Sequence, residues 1–186
     1  MHNRIRFAVE VVRGIAHTNG AHRTALRISP GNRFNDMTEF DAETTYFALV
    51  EQLRPLGLAY LHLVEVGDRA LTNALRTRYG GAFMLNPHTG SQPTGTRELQ
   101  LIENCTADLI SYGALFLANP DLPRRLARGG PYNRPHRETF YGGDERGYTD
   151  YPILSPEPGR ATTSRSSSAT VTNAMVTPWE STNSTS

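Results

Sequence analysis

Apolar residues recur every three or four positions in three parts of the chain, which is the spacing of an amphipathic α-helix. The stripes are Phe7, Val11 and Ile15, with Ala8 and Val12 beside them; Tyr46, Phe47, Val50 and Leu53; and Leu71, Leu75 and Tyr79. Glycine or proline follows each stripe, as expected where a helix ends. The pattern predicts three helices, each of which packs its stripe against a core.

Four short β-prone runs alternate with helical segments. The runs are 25–30, 58–66, 82–86 and 108–113, and two further helices are predicted over 96–104 and 114–126. The run LAYLHLVEV predicts a strand that is buried on both faces. One helix followed by four βα units predicts an α/β fold with a parallel sheet, because parallel strands need crossover connections.

Two α/β folds compete for this pattern. A doubly wound sheet normally carries G-x-G-x-x-G after a strand, and this sequence has no such motif. A (β/α)8 barrel needs about 250 residues, whereas this chain has 186 and material for four of the eight units. The first helix lacks a preceding strand, so we expect the chain to start partway through a domain.

Composition divides the chain near Ser155. Ser and Thr supply 15 of the last 32 residues, with few apolar side chains among them. Such a segment cannot bury enough apolar surface to fold. We therefore predict a folded domain over residues 1–154 and a disordered tail over residues 155–186, which holds the single tryptophan, Trp179.

The charge balance excludes several classes of partner. The chain has 19 basic and 18 acidic side chains and a formal net charge of +1, which favours neither nucleic acid nor a membrane surface. No segment approaches the roughly 20 apolar residues of a membrane span, and the charged N-terminus lacks a signal-peptide core. Because Cys105 is the only cysteine, no disulfide framework is possible, and we expect a cytoplasmic protein.

Arg27 is the first candidate for chemistry, because it interrupts an apolar strand. An unpaired buried guanidinium is costly. Either an ion pair with Glu65 or Asp36, or an anionic ligand, would account for it, and the sequence leaves both interpretations open.

Two strand-to-helix loops are candidates for phosphate binding. After the third strand, the loop Asn86 to Gly90 leads to a helix start, where backbone N–H groups and the helix dipole favour an anion. A plain surface loop explains the same residues. After the fourth strand, Gly113 precedes Ala114 and indicates either a tight turn or close approach to a ligand.

The remaining candidates are weaker. Six scattered histidines predict no metal site, and Cys105 follows an apolar stripe, as a structural thiol does. The basic helix end formed by Arg124, Arg125 and Arg128 is interpreted as a solvated cap. In the Gly- and Tyr-rich segment 140–152, either the aromatic residues pack the chain end against the fold, or Tyr141 covers a flat ligand.

Five segments, in order along the chain, carry a resemblance to a known family. They are Asn3-Arg4-x-Arg6-Phe7; Arg27-Ile28-Ser29-Pro30 with Arg33-Phe34-Asn35-Asp36; LAYLHLVE from Leu58; FLANPDLP from Phe116; and Thr139-Phe140-Tyr141 with GYTDYP from Gly147. The sequence resembles the Old Yellow Enzyme family of FMN-dependent NAD(P)H oxidoreductases, or alkene reductases, over residues 2 to about 154. The resemblance implies a (β/α)8 TIM barrel, of which this chain is the C-terminal half with strands five to eight.

The resemblance also implies roles around the flavin ring. Arg27 matches the arginine that contacts the ring near N1 and O2, where a cation stabilises the anionic reduced flavin. Tyr141 matches an aromatic residue that lines the substrate side. No catalytic residue carries over, because the family's substrate-holding pair and its proton-donating tyrosine lie on the first four strands.

For the FMN phosphate, the resemblance assigns the two loops named above. Asn86, His88, Thr89 and Gly90 match the position where the family usually has Asn-Gly-Gly, and Pro87 replaces a donating glycine. Gly113 matches the second phosphate glycine. Ala114 stands where the family has an arginine, which leaves Arg97 or His88 as substitutes.

The expected function follows from this resemblance. The intact enzyme passes a hydride from NAD(P)H through FMN to an activated alkene, and this chain, as a C-terminal portion, is expected to be inactive alone. The alternative is a non-catalytic half-barrel or assembly module. Two free strand edges predict a homodimer or pairing with a separate N-terminal half-barrel.

Overall fold

The computed structural model of the protein describes residues 2–155. The helices are α1 (His2–Asn19), α2 (Ala42–Leu53), α3 (Arg69–Tyr79), α4 (Gln100–Glu103), α5 (Ala114–Ala118) and α6 (Leu122–Arg128). The strands are β1 (Ala25–Ile28), β2 (Tyr60–Val64), β3 (Phe83–Asn86) and β4 (Leu109–Ile110). The compact unit ends at Leu154, and the predicted disordered tail, with Trp179, lies outside the described residues except for Ser155.

The four strands form one parallel sheet in the order β1-β2-β3-β4. Each strand therefore pairs with its neighbour in the chain, and a helical crossover joins each pair. This arrangement confirms the predicted alternation of strands and helices, with an additional 3₁₀ turn, Thr96–Leu99, at the start of the fourth predicted helix.

Helices cover one face of the sheet. The core between the layers contains Leu61 and Leu63 of β2, Phe83 and Leu85 of β3, and apolar residues of α1, α2 and α3. On β2 these residues alternate with half-buried Tyr60, His62 and Val64. The prediction that this strand is buried on both faces is wrong, because within residues 2–155 no second layer covers the other face.

Helix α1 packs with a different face from the one predicted. Ile5, Val9 and Val12 are buried, whereas Phe7 is 78% exposed and Ile15 is 44% exposed. Both sets have helical spacing, so periodicity alone does not distinguish them. Helix α1 packs against α2, and this contact with the core selects the face that carries Ile5, Val9 and Val12.

The predicted helix over 114–126 is divided into α5 and α6 by Asn119-Pro120. Proline has no N–H group and disfavours the helical conformation of the residue before it. Asn119 has non-helical backbone angles, φ −137° and ψ 87°, and is fully buried, and its side-chain amide donates to the Leu115 carbonyl at 2.7 Å. Its Oδ1 accepts a hydrogen bond from the backbone N–H of Asn133 at 2.8 Å, which fastens the following segment to the break.

Arg125 is buried, so the prediction of a solvated basic helix end is wrong at this position. Its guanidinium donates to Asp121 Oδ1 at 2.6 Å, to the Pro131 carbonyl at 2.6 Å and to the Pro152 carbonyl at 2.7 Å. One side chain thus joins α6 to both ends of segment 131–152. Arg124 is exposed, as expected.

Candidate functional site

The uncovered face of the sheet carries the first part of the candidate site. Arg27 on β1 lies in register with His62 on β2, and His62 lies in register with Met84 on β3. Asn86 follows two residues after Met84, at the carboxyl end of β3, where parallel βα folds place their functional groups. Sequence alternation thus brings one cation, one imidazole and one amide to the same face.

Ser111 connects two of these groups. His62 Nε2 and Ser111 Oγ form a hydrogen bond of 2.9 Å, and the Asn86 amide donates to the Ser111 carbonyl at 3.0 Å. Burial, and secondly the nearby positive charge of Arg27, lower the pKa of His62 below its usual 6.5. Neutral imidazole is therefore favoured at physiological pH. Neither His62 nor Ser111 was predicted as a site residue. The available signal was the alternation of side chains along the strands, which places His62 on the same face of the sheet as Arg27.

Arg27 has neither of the ion-pair partners considered from the sequence. Its side chain is exposed, and no ion pair joins it to Glu65 or Asp36 in the described part of the chain. The guanidinium was expected to be buried, but the uncovered sheet face leaves it accessible. A permanent cation is thereby available to an anionic group above the sheet.

Glu65, which immediately follows β2, organises the loop after β3. Its buried carboxylate accepts hydrogen bonds from Arg69 Nε at 2.6 Å, Thr72 Oγ1 at 2.9 Å and the backbone N–H of His88 at 2.9 Å. Burial alone would raise the pKa of Glu65, but these hydrogen bonds and the charge of Arg69 outweigh it and lower the pKa below 4.5. This positioning role of Glu65 was not predicted from the sequence.

The loop Asn86 to Gly90 retains few free amide donors. Pro87 has none, and the N–H of His88 is engaged by Glu65. The Thr89 hydroxyl donates to the Gln92 carbonyl at 2.6 Å, and Gly90 has φ +64°. Among residues 2–155, the N–H groups of Thr89 and Gly90 donate to no protein acceptor, so these two amides are the ones available to a ligand.

The other predicted site residues lie outside this loop in the sequence. Gly113 immediately precedes α5, which begins at Ala114, and a Cβ at Gly113 would meet no protein atom within 4 Å. Tyr141 is 91% exposed and stacks edge-on with Phe140, with ring centroids 6.5 Å apart, so this ring does not pack the chain end against the fold. Tyr151 of the same segment does, because it is 9% exposed and its hydroxyl accepts from the His136 N–H at 2.9 Å. Cys105 is exposed as well and does not contribute to the core.

The donor set suits an anionic cofactor. Arg27, His62, Asn86 and the amides after β3 present positive charge and hydrogen-bond donors, and the one nearby carboxylate, Glu65, is buried and engaged. No cluster of three or more His, Cys, Asp or Glu side chains suited to a metal ion occurs among residues 2–155. These residues fit a ligand that carries a phosphate or another negatively charged group.

Comparison with known proteins places this architecture in a family. The sequence profile of the NADH:flavin oxidoreductase / NADH oxidase family matches residues 1–133. The putative 12-oxophytodienoate reductase 5 of Oryza sativa subsp. japonica is 39% identical over 168 residues, which cover 84% of this chain and 44% of the relative.

Solved structures agree with the sequence comparison. Morphinone reductase in complex with tetrahydroNAD superposes with a TM-score of 0.75 at 35% identity, covering 86% of this chain and 43% of that chain. The old yellow enzyme from Trypanosoma cruzi gives a TM-score of 0.72 at 31% identity, covering 82% and 41%. The chain therefore spans less than half the length of these relatives.

The chain belongs to the NADH:flavin oxidoreductase / NADH oxidase family, within the Old Yellow Enzyme group identified from its motifs. The cofactor of this family is FMN. Its solved relatives are TIM barrels, and this chain matches part of that α/β architecture. None of the helices in the described part of the chain has the length and apolarity that a membrane crossing requires.

Proposed function

We propose that this chain supplies the C-terminal, FMN-binding half of an ene-reductase barrel, with β1 to β4 as strands five to eight. The observation that carries the proposal is the unpaired Arg27 on the uncovered face of a four-stranded parallel sheet. When bound, FMN would accept a hydride from NAD(P)H and deliver it to an activated alkene. The use of NAD(P)H as reductant and of an activated alkene as substrate is part of this proposal.

Each residue of the site has a physical role in the proposal. The Arg27 guanidinium offsets negative charge on the flavin ring, and the His62–Ser111 hydrogen bond holds neutral imidazole beside it. The Thr89 and Gly90 amides, together with Gly113 and Ala114, face the cofactor's phosphate side. Tyr141 extends over the substrate side as a lid. Proton donation to the alkene requires a residue from outside the described sheet.

A second candidate function is assembly without catalysis, and the exposed sheet favours it. Within residues 2–155, no strand pairs with the outer edge of β1 or of β4, and Leu109 on β4 is 44% exposed. Free parallel edges pair readily with other strands. In this alternative the chain dimerises, or joins an N-terminal half-barrel, without holding FMN.

A visible absorption spectrum of the purified full chain, after removal of free FMN, tests the leading proposal. We expect near one flavin per chain or per dimer, and we expect Arg27→Ala to weaken FMN affinity about tenfold or more, through loss of a charged contact. Arg23→Ala is the matched control, because Arg23 lies before β1, at the opposite end of the strand.

Elution volume on a sizing column, measured on the same sample, separates the two functions. A flavin-bearing dimer supports the proposed cofactor site, whereas a colourless dimer supports assembly alone. Equal FMN affinity of the Arg27→Ala and Arg23→Ala variants would contradict the proposed contact between Arg27 and the flavin ring.

A further inference from the structure

A cavity lies between the loop after β3 and the segment that follows α6. Its volume is ≈ 540 Å³. The size is in the range of small-molecule sites. Its lining includes Ser91, Tyr132, Asn133, Arg134 and Arg137.

The charge of this cavity is unbalanced. Arg134 and Arg137 line it, and no aspartate or glutamate does. Arg137 Nη2 donates to the Ser91 carbonyl at 3.0 Å, which leaves its other N–H groups free of protein acceptors. Arg134 has no hydrogen bond or ion pair in the described part of the chain. Two guanidinium groups without a carboxylate form a site for an anion.

The walls of the cavity are held in place by hydrogen bonds. Tyr132 OH and Thr96 Oγ1 lie 2.8 Å apart and connect the two sides. Asn133, which immediately precedes Arg134, donates through Nδ2 to the Ala118 and Pro152 carbonyls, each at 2.8 Å. The backbone that presents Arg134 is thus fixed before a ligand arrives, which lowers the entropic cost of binding.

We propose that Arg134 and Arg137 bind the phosphate group of a phosphate monoester in this cavity. Planar guanidinium groups match phosphate oxygens with paired, charge-assisted hydrogen bonds. Neither His88 nor Arg97, the substitutes considered from the sequence, lines the cavity. The phosphate is either that of FMN, which rests on the proposed function, or that of another phosphate monoester.

Titration of the full chain with inorganic phosphate, followed by ³¹P NMR, tests the site without flavin. We expect saturable binding in the millimolar range, weakened about tenfold or more by Arg134→Ala and by Arg137→Ala. Arg124→Ala removes the same charge from an exposed position on α6, outside the cavity, and is the matched control. Absence of saturable binding, or equal affinity of the Arg134→Ala and Arg124→Ala variants, would overturn the proposal.

Titrations with FMN and riboflavin identify the source of the phosphate. If the cavity holds the FMN phosphate, Arg134→Ala weakens FMN binding and leaves riboflavin binding unchanged. If inorganic phosphate binds through Arg134 but neither flavin binds, the phosphate site stands and the proposed flavin function fails. If FMN binds with equal affinity to the wild type and to both cavity variants, the assignment to FMN is wrong while the proposed function stands.

Discussion

At the scale of single residues, Arg125 has the largest expected effect on stability. Its guanidinium is 3% exposed and makes three hydrogen bonds that link α6 to residues 131 and 152. Because Arg125→Ala leaves buried acceptors unpaired, we expect it to lower the free energy of unfolding by about 3–5 kcal/mol. Chemical denaturation measures this loss.

Arg124→Ala is the control for that measurement. Arg124 precedes Arg125 on the same helix but is exposed, so its removal should change the free energy of unfolding by less than about 0.5 kcal/mol. Similar losses in both variants would contradict the structural role of Arg125.

Glu65 gives a prediction about pH. Its pKa is lowered in the folded chain from the usual 4.5, so its contribution to stability is complete above pH 4.5 and is lost as the pH falls through the folded-state pKa. We expect Glu65→Gln to lower the unfolding temperature at neutral pH, and the difference from wild type to shrink at acidic pH. Thermal melts of both proteins between neutral and acidic pH measure it.

Asp108 and Asp121 also have lowered pKa values, but they are present in both proteins, so their contributions cancel in the comparison. A difference that stays constant across the whole pH range would contradict the assigned role of the Glu65 carboxylate.

The sequence identifies some of these residues and misses others for a physical reason. Arg27 stands out because a charge in an apolar strand is visible locally. The role of Glu65 depends on contact with His88, which is 23 positions away, and that of Arg125 on Pro152, which is 27 positions away. Contacts across such separations are set by the fold and leave no local pattern.

At the scale of elements, helix α1 shows where periodicity is insufficient. Val9 is 6% exposed and Phe7 is 78% exposed, although both belong to stripes with helical spacing. We expect Val9→Ala to cost about 2 kcal/mol of unfolding free energy through lost methyl burial. Phe7→Ala should cost less than about 0.5 kcal/mol. Denaturant titration of both variants checks the assignment, and the opposite ranking would show that the predicted face was right.

The strands and the other long helices were predictable because short-range signals define them. Helix α2 buries Val50 and Leu53, and α3 buries Leu75 and Tyr79, as their stripes predict. The break between α5 and α6 lies at Asn119-Pro120, where proline disfavours a continuous helix although the apolar spacing continues through it. Local backbone chemistry was therefore the more reliable guide there.

At the scale of the whole molecule, the alternation of strands and helices predicted a parallel sheet correctly, because parallel strands need crossover connections, whereas it left the observed order β1-β2-β3-β4 open. The uncovered sheet face was not apparent from the hydrophobic pattern of β2. Burial of that face depends on a second layer, and the run of residues in one strand does not report how many layers surround it.

Deletion of residues 155–186 tests the predicted division of the chain. The last backbone contact in the compact unit is the hydrogen bond from the Leu154 N–H to Asp121 Oδ2, at 2.8 Å. We expect this deletion to leave the unfolding temperature unchanged. A longer deletion, of residues 150–186, is the control, because it removes the Tyr151 hydroxyl that accepts from the His136 N–H and the Pro152 carbonyl that accepts from Arg125. The longer deletion should cost about 3 kcal/mol or more. A large loss from the shorter deletion would show that the tail packs against the folded unit.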